Sequence, residues 1–141
     1  MNRQFSMLED ICLNSARRIQ HIPMLAARCE DTRFTGLLKK QWEEYCGIHE
    51  EARKLLSWKG SGQPQDSEFS RVTAQAATNF RTLTDHSVSR LAELRIQDSS
   101  QGLTDVTRSL HQKQAPEAER QLAERLRSLE EAHIREMREY L

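Results

Sequence analysis

Apolar residues recur at helical spacing along four stretches of the chain, and this pattern predicts an all-α fold. The first stretch runs from about Phe5 to Cys29, with Phe5, Leu8, Ile11, Cys12, Ala16, Ile19, Ile22, Ala26 and Cys29 on one stripe. Pro23 lies inside it and predicts a kink between Ile19 and Pro23 rather than a stop, because proline removes one backbone donor and crowds the preceding turn. Asp31 or Thr32 is placed to cap the next helix, about Arg33 to Trp58. There Phe34, Leu37, Leu38, Gln41, Tyr45, Ile48, Ala52 and Leu55 make a narrow seam suited to a neighbouring helix. The short connection predicts that these two helices form an antiparallel hairpin.

Residues 59–66, Lys59-Gly60-Ser61-Gly62-Gln63-Pro64-Gln65-Asp66, read as a linker. Apolar periodicity returns from Ser67 and runs to Lys113, faltering at Asp98-Ser99-Ser100-Gln101-Gly102. One straight helix over that span would be ~70 Å long at ~1.5 Å per residue, far longer than its neighbours. A short crossover followed by a helix from about Thr78 to His111 is therefore expected. Pro116 opens the last helix, whose inner stripe is Leu122, Leu126, Leu129, His133, Met137 and Tyr140. The whole of 1–141 thus reads as a single domain, a four-helix bundle with a crossover between the second and third helices.

Composition narrows the function classes. Hydrophobic residues are 37% and charged residues 30% of 141, with 5 Gly and 3 Pro, which suits a bundle better than a sandwich or barrel. Lys plus Arg and Asp plus Glu are each 21, so there is no global field to draw the chain onto nucleic acid or an anionic membrane. No apolar run approaches ~20 residues, and the start, Met1-Asn2-Arg3-Gln4, lacks the apolar core expected of a signal peptide. Cys12, Cys29 and Cys46 cannot all pair within one chain, so reduced thiols and a cytoplasmic setting are expected. Arginine outnumbers lysine 16 to 5, and its spread along the helices reads as a solvated face.

No phosphate-binding glycine loop, Cys-x-x-Cys pair, nucleophile elbow or zincin pattern is present. The candidate chemistry is Glu130-Glu131-Ala132-His133, where Glu130 and His133 share a helix face. In bundles of the ferritin type, such Glu-x-x-His steps hold an interior di-iron or di-manganese site. The second helix offers Cys46-Gly47-Ile48-His49 at the matching place, and Glu93 is an available lone carboxylate. The first helix has only Glu9 and Asp10 near one end, with Arg17-Arg18 in its middle. Register places His49 and His133 about eight residues apart in height, ~12 Å, too far for two bridged metals ~4 Å apart. Glu130, His133, Glu93, Cys46 and His49 are thus the residues for an iron or manganese reading, and Cys12, Cys46 and His49 for a zinc reading. The reading preferred is that Glu130 and His133 form a helical i, i+3 pair with no cofactor, in which the carboxylate raises the imidazole pKa. The run Thr82, Thr84, Asp85, His86, Ser87, Ser89 is expected on the third helix, where small hydroxyls allow close packing. Trp42 reads as a core edge and Trp58 as a plug at a helix end. The expected role is that of a non-enzymatic interaction module, as a homodimer or with a protein partner.

The stretch Asn79 to Asp105 carries Thr82-Leu83-Thr84-Asp85, Ser87, Ser89, Leu91-Ala92-Glu93, Ile96-Gln97 and Gly102-Leu103-Thr104-Asp105. It resembles uncharacterised small ferritin-like four-helix-bundle proteins of anaerobic Gram-positive bacteria, and the likeness extends along nearly the whole chain to Tyr140-Leu141. The resemblance implies architecture and no particular activity. In that pattern a His often stands where this chain has Arg90, so the resemblance implies a His-x-x-Glu ligand step that is lost here.

Overall fold

The computed structural model describes residues 5–60 and 83–141. They form four helices: α1 (Met7–Ala26), α2 (Thr32–Trp58), α3 (Val88–Gln112) and α4 (Glu117–Arg138). There is no strand among the described residues. The chain is an all-α four-helix bundle.

Local chemistry sets each boundary. Ser6 and Glu9 make a reciprocal capping box at the start of α1, with Glu9 N donating to Ser6 Oγ at 3.1 Å and Ser6 N to Glu9 Oε1 at 3.0 Å. Pro23 lies within α1, which continues past it to Ala26. Proline at 23 leaves the Ile19 carbonyl without its helical donor, and Trp42 Nε1 of α2 donates to that oxygen at 3.2 Å. Trp42 is therefore a half-buried partner of the proline turn. Asp31 caps α2, accepting from Phe34 N at 2.9 Å, and Gly60, at φ 74°, follows its end.

The third helix differs from expectation at its start. Residues 83–87 are not helical, whereas the part of the expected helix at 78–82 lies outside the described residues. Asp85 Oδ1 accepts from Ser87 N at 2.9 Å, and Ser87 Oγ accepts from Arg90 N at 3.2 Å. Short polar side chains that bond their own backbone favour a turn and a cap over a helix interior, so α3 opens at Val88. Thr84, Asp85, His86 and Ser87 are exposed lead-in residues, not a packed helical face, and Thr82 is outside the described residues. Beyond that start, α3 runs unbroken through Asp98 to Gly102.

α1 packs antiparallel to α2 and to α3, and α4 packs antiparallel to the same two. Ion pairs show the register: Asp10 meets Lys113, Arg18 meets Asp98, and Lys59 meets Glu119. Consequently α2 and α3 run in the same direction, with Gln41 beside Arg95 and Tyr45 beside Ser99. The segment in which the crossover was expected, 61–82, lies outside the described residues.

Three layers follow from this register. At one end pack Leu8, Ile11, Ala52, Leu56, Leu110 and Leu122; at the other pack Ile22, Leu25, Phe34, Leu38, Leu91 and Met137. Between these apolar layers lies a charged one.

Candidate functional site: a charged layer inside the bundle

The middle layer draws on every helix. α1 supplies Asn14 and Arg18, and α2 supplies Gln41 and Tyr45. α3 supplies Arg95, Asp98 and Ser99, and α4 supplies Glu130 and His133. Arg18, Arg95 and Glu130 are wholly buried. A charge taken out of water costs several kcal/mol unless paired, so the partners of these groups decide whether the layer is tolerable.

Arg95 donates to Gln41 Oε1 through Nε at 3.0 Å, and through Nη2 to Tyr45 Oη at 2.6 Å and His133 Nδ1 at 3.1 Å. Its guanidinium carbon lies 5.2 Å from the Tyr45 ring centre. Arg18 donates to the Asn14 and Asp98 carbonyls. Its side chain lies 3.5 Å from the Asp98 carboxylate and 3.7 Å from that of Glu130. Tyr45 donates its one hydroxyl proton to Glu130 Oε1. Arg18 Nε, Arg95 Nη1, Asp98 Oδ2 and Glu130 Oε2 make no hydrogen bond among the described residues. The arginine–carboxylate pairs of the layer are thus held by charge at 3.5–3.8 Å, with no direct hydrogen bond between the charged groups among the described residues.

Gly102 makes this arrangement possible. A Cβ there would meet Glu130 Oε2, with the carboxyl carbon at 2.9 Å and Arg18 Cζ at 3.0 Å. Its carbonyl accepts from Asn14 Nδ2 at 2.9 Å. The glycine that interrupts the apolar stripe leaves the space on α3 that the Glu130 carboxylate fills.

The two carboxylates respond differently to burial. Burial alone would raise Asp98, but Arg18, His21 and Arg95 overcome it and hold the group down to about 2. His21 Nδ1 lies 2.8 Å from Asp98 Oδ1. Around Glu130 burial prevails over Arg18, Arg95 and the Tyr45 hydrogen bond, and the carboxyl is pushed up to about 7.

His133 corrects the expectation of a raised pKa. Burial, then Arg95 and Lys40, push the imidazole down to about 3, so it stays neutral. Glu130 does not bond to the ring; the two meet through Tyr45, whose oxygen is 3.0 Å from His133 Nδ1. With Nδ1 accepting from Arg95, Nε2 carries the proton and donates to Glu44 Oε1 at 3.2 Å.

Of the five metal candidates, only Glu130 and His133 belong to this layer. Glu93 is exposed on the first turns of α3 and pairs with Arg90 at 2.5 Å. His49 binds Ser15 Oγ at 3.0 Å, and Cys46 is partly exposed on α2. Cys12 is buried, and burial pushes its thiol up to about 11. Among the described residues, the trio whose ligand atoms lie within 4.8 Å of one another is Glu44, His133 and Glu136. An interior di-metal centre does not fit these donors, because two guanidinium cations already stand among its carboxylates.

Sequence reasoning missed Arg18 and Arg95 as interior residues. The available signal was position: Arg18 adjoins a stripe residue, Ile19, and Arg95 falls one turn after Leu91. No protein-family model, curated protein or solved structure matches the chain. No helix among the described residues is long and apolar enough to cross a membrane.

Proposed function

We propose that the protein is a non-enzymatic helical module that acts by binding a second copy of itself. The observation that carries this reading is the charged layer: its acids, bases and tyrosine are turned on one another. Arg95 alone engages Gln41, Tyr45 and His133. Groups so paired are committed to structure. Function then falls to the surface, where Trp58 is 75% exposed at the end of α2. This is a correction to the expectation of a plug at the helix end. An exposed tryptophan is the residue type that most often anchors a protein interface.

Sedimentation velocity of the full chain over a wide concentration range tests the reading. A reversible dimer weakened by Trp58→Ala is the expected outcome. A monomer at every concentration would contradict it.

A further inference from the structure

At the outer edge of the charged layer, α2 and α4 bring together one imidazole and two carboxylates. We propose that Glu44, His133 and Glu136 form a binding site for a single divalent first-row cation, zinc foremost.

Geometry supports this choice. His133 Nε2 and Glu44 Oε1 are 3.2 Å apart, close to the edge of ~3.3 Å between two ligands of a tetrahedral zinc bound at ~2.0–2.1 Å. Glu136 is one helical turn from His133, and its oxygen lies within the same 4.8 Å cluster. His133 is 1% exposed, and its ring stacks edge-on to Tyr45 at 4.9 Å between centres, so the nitrogen is already aimed. Glu44 and Glu136 have side chains 37% and 28% exposed, which leaves room for an ion to enter with water as its fourth ligand. One imidazole and two carboxylates suit zinc, and zinc binds such donors more tightly than manganese or iron(II) does.

The proton on Nε2 must leave for the ion to bind there. It is transferred to Nδ1, where Tyr45 Oη lies 3.0 Å away and can accept it. The tyrosine oxygen then receives Nδ1–H and Arg95 while still donating to Glu130, and Arg95 gives up its 3.1 Å hydrogen bond to Nδ1 while keeping those to Tyr45 and Gln41. Glu136 itself has two partners: Gln41 Nε2 donates to its Oε1 at 3.1 Å, and Lys40 Nζ, 3.0 Å from its Oε2, is the cation the metal replaces. Lys40 is exposed and can swing into water.

Zinc titration by calorimetry tests the site on the untagged full chain carrying Cys29→Ser and Cys46→Ser, which removes the two partly exposed thiols. One equivalent of Zn²⁺ should bind. Glu44→Gln and Glu136→Gln should each weaken it by on the order of tenfold or more. Lys40→Gln should tighten it by roughly three- to fivefold, the converted value of an exposed ion pair. Loss of a fold would not produce tighter binding, so the lysine variant separates ligation from structure. Absence of one-equivalent binding, or affinity unchanged by both glutamate substitutions, would overturn the proposal.

Discussion

Two arginine–carboxylate arrangements lie within three turns of each other on α3. Arg90 and Glu93 meet at 2.5 Å in solvent, and Arg95 and Asp98 face each other at 3.8 Å with the arginine wholly buried. The spacing in sequence is the same. In water the closer pair contributes little, because each charge is already well solvated and both side chains lose freedom on pairing. Inside the bundle the looser pair is part of a set that cannot lose a member without stranding a charge. Environment, not contact distance, decides which pair matters.

The largest expected effect that would sharpen this contrast comes from Gly102→Ala. Alanine favours a helix by up to ~1 kcal/mol over glycine, but here its Cβ displaces the Glu130 carboxylate. The change should cost about 3–5 kcal/mol, as for a broken buried pair, measured by urea denaturation. A stabilised variant would show that Glu130 can relocate freely.

Next in size is the pH dependence of Glu130→Gln. The Glu130 carboxyl, held up at about 7, keeps its proton more firmly when folded than when unfolded, where it titrates near ~4.3. Its contribution to stability is therefore complete below the unfolded value and is lost as pH rises through the folded one. Glutamine does not titrate, so the variant should gain on the wild type by on the order of 3 kcal/mol between pH 4.5 and 8. A constant difference across that range would show that Arg18 and Arg95 outweigh burial.

Gly47→Ala should act oppositely to Gly102→Ala. No atom lies within 4 Å of a Cβ at position 47, so only helix propensity changes, a gain of ~0.5–1 kcal/mol by thermal melting. A loss would mean that α2 needs the open surface there. The smallest effect belongs to Glu93→Gln, expected to shift stability by less than ~0.5 kcal/mol and to lose that shift in high salt. A cost above 1 kcal/mol would erase the contrast between the two arrangements.

The apolar ends of the bundle were legible because burial there follows the helical period. Phe34, Leu38, Tyr45, Ile48 and Ala52 are buried as the α2 seam predicts. The charged middle was not, for a physical reason. Arginine is found mostly outside, and its burial depends on partners from other helices that are distant in sequence: Glu130 lies 112 positions from Arg18. The break at Asp98–Gly102 was visible, but it looked like a weakness in a helix when it marks the place where the interior turns polar. The start of α3 was misjudged because apolar spacing continued through Leu83, while Asp85 and Ser87 bonded locally and capped the helix.

Arg18 and Glu130 persist in the interior because each makes the other tolerable. A double-mutant cycle with Arg18→Met and Glu130→Leu, followed by urea denaturation at pH 8, tests it most directly. At that pH the carboxylate is ionised. Each single change should cost about 3–5 kcal/mol by leaving the opposite charge short of a partner, Arg18 with Asp98 alone and Glu130 with Arg95 and the Tyr45 hydrogen bond, and the double variant should cost well under the sum of the two. Additive costs would contradict the claim, showing that the two residues occupy the same layer without depending on each other.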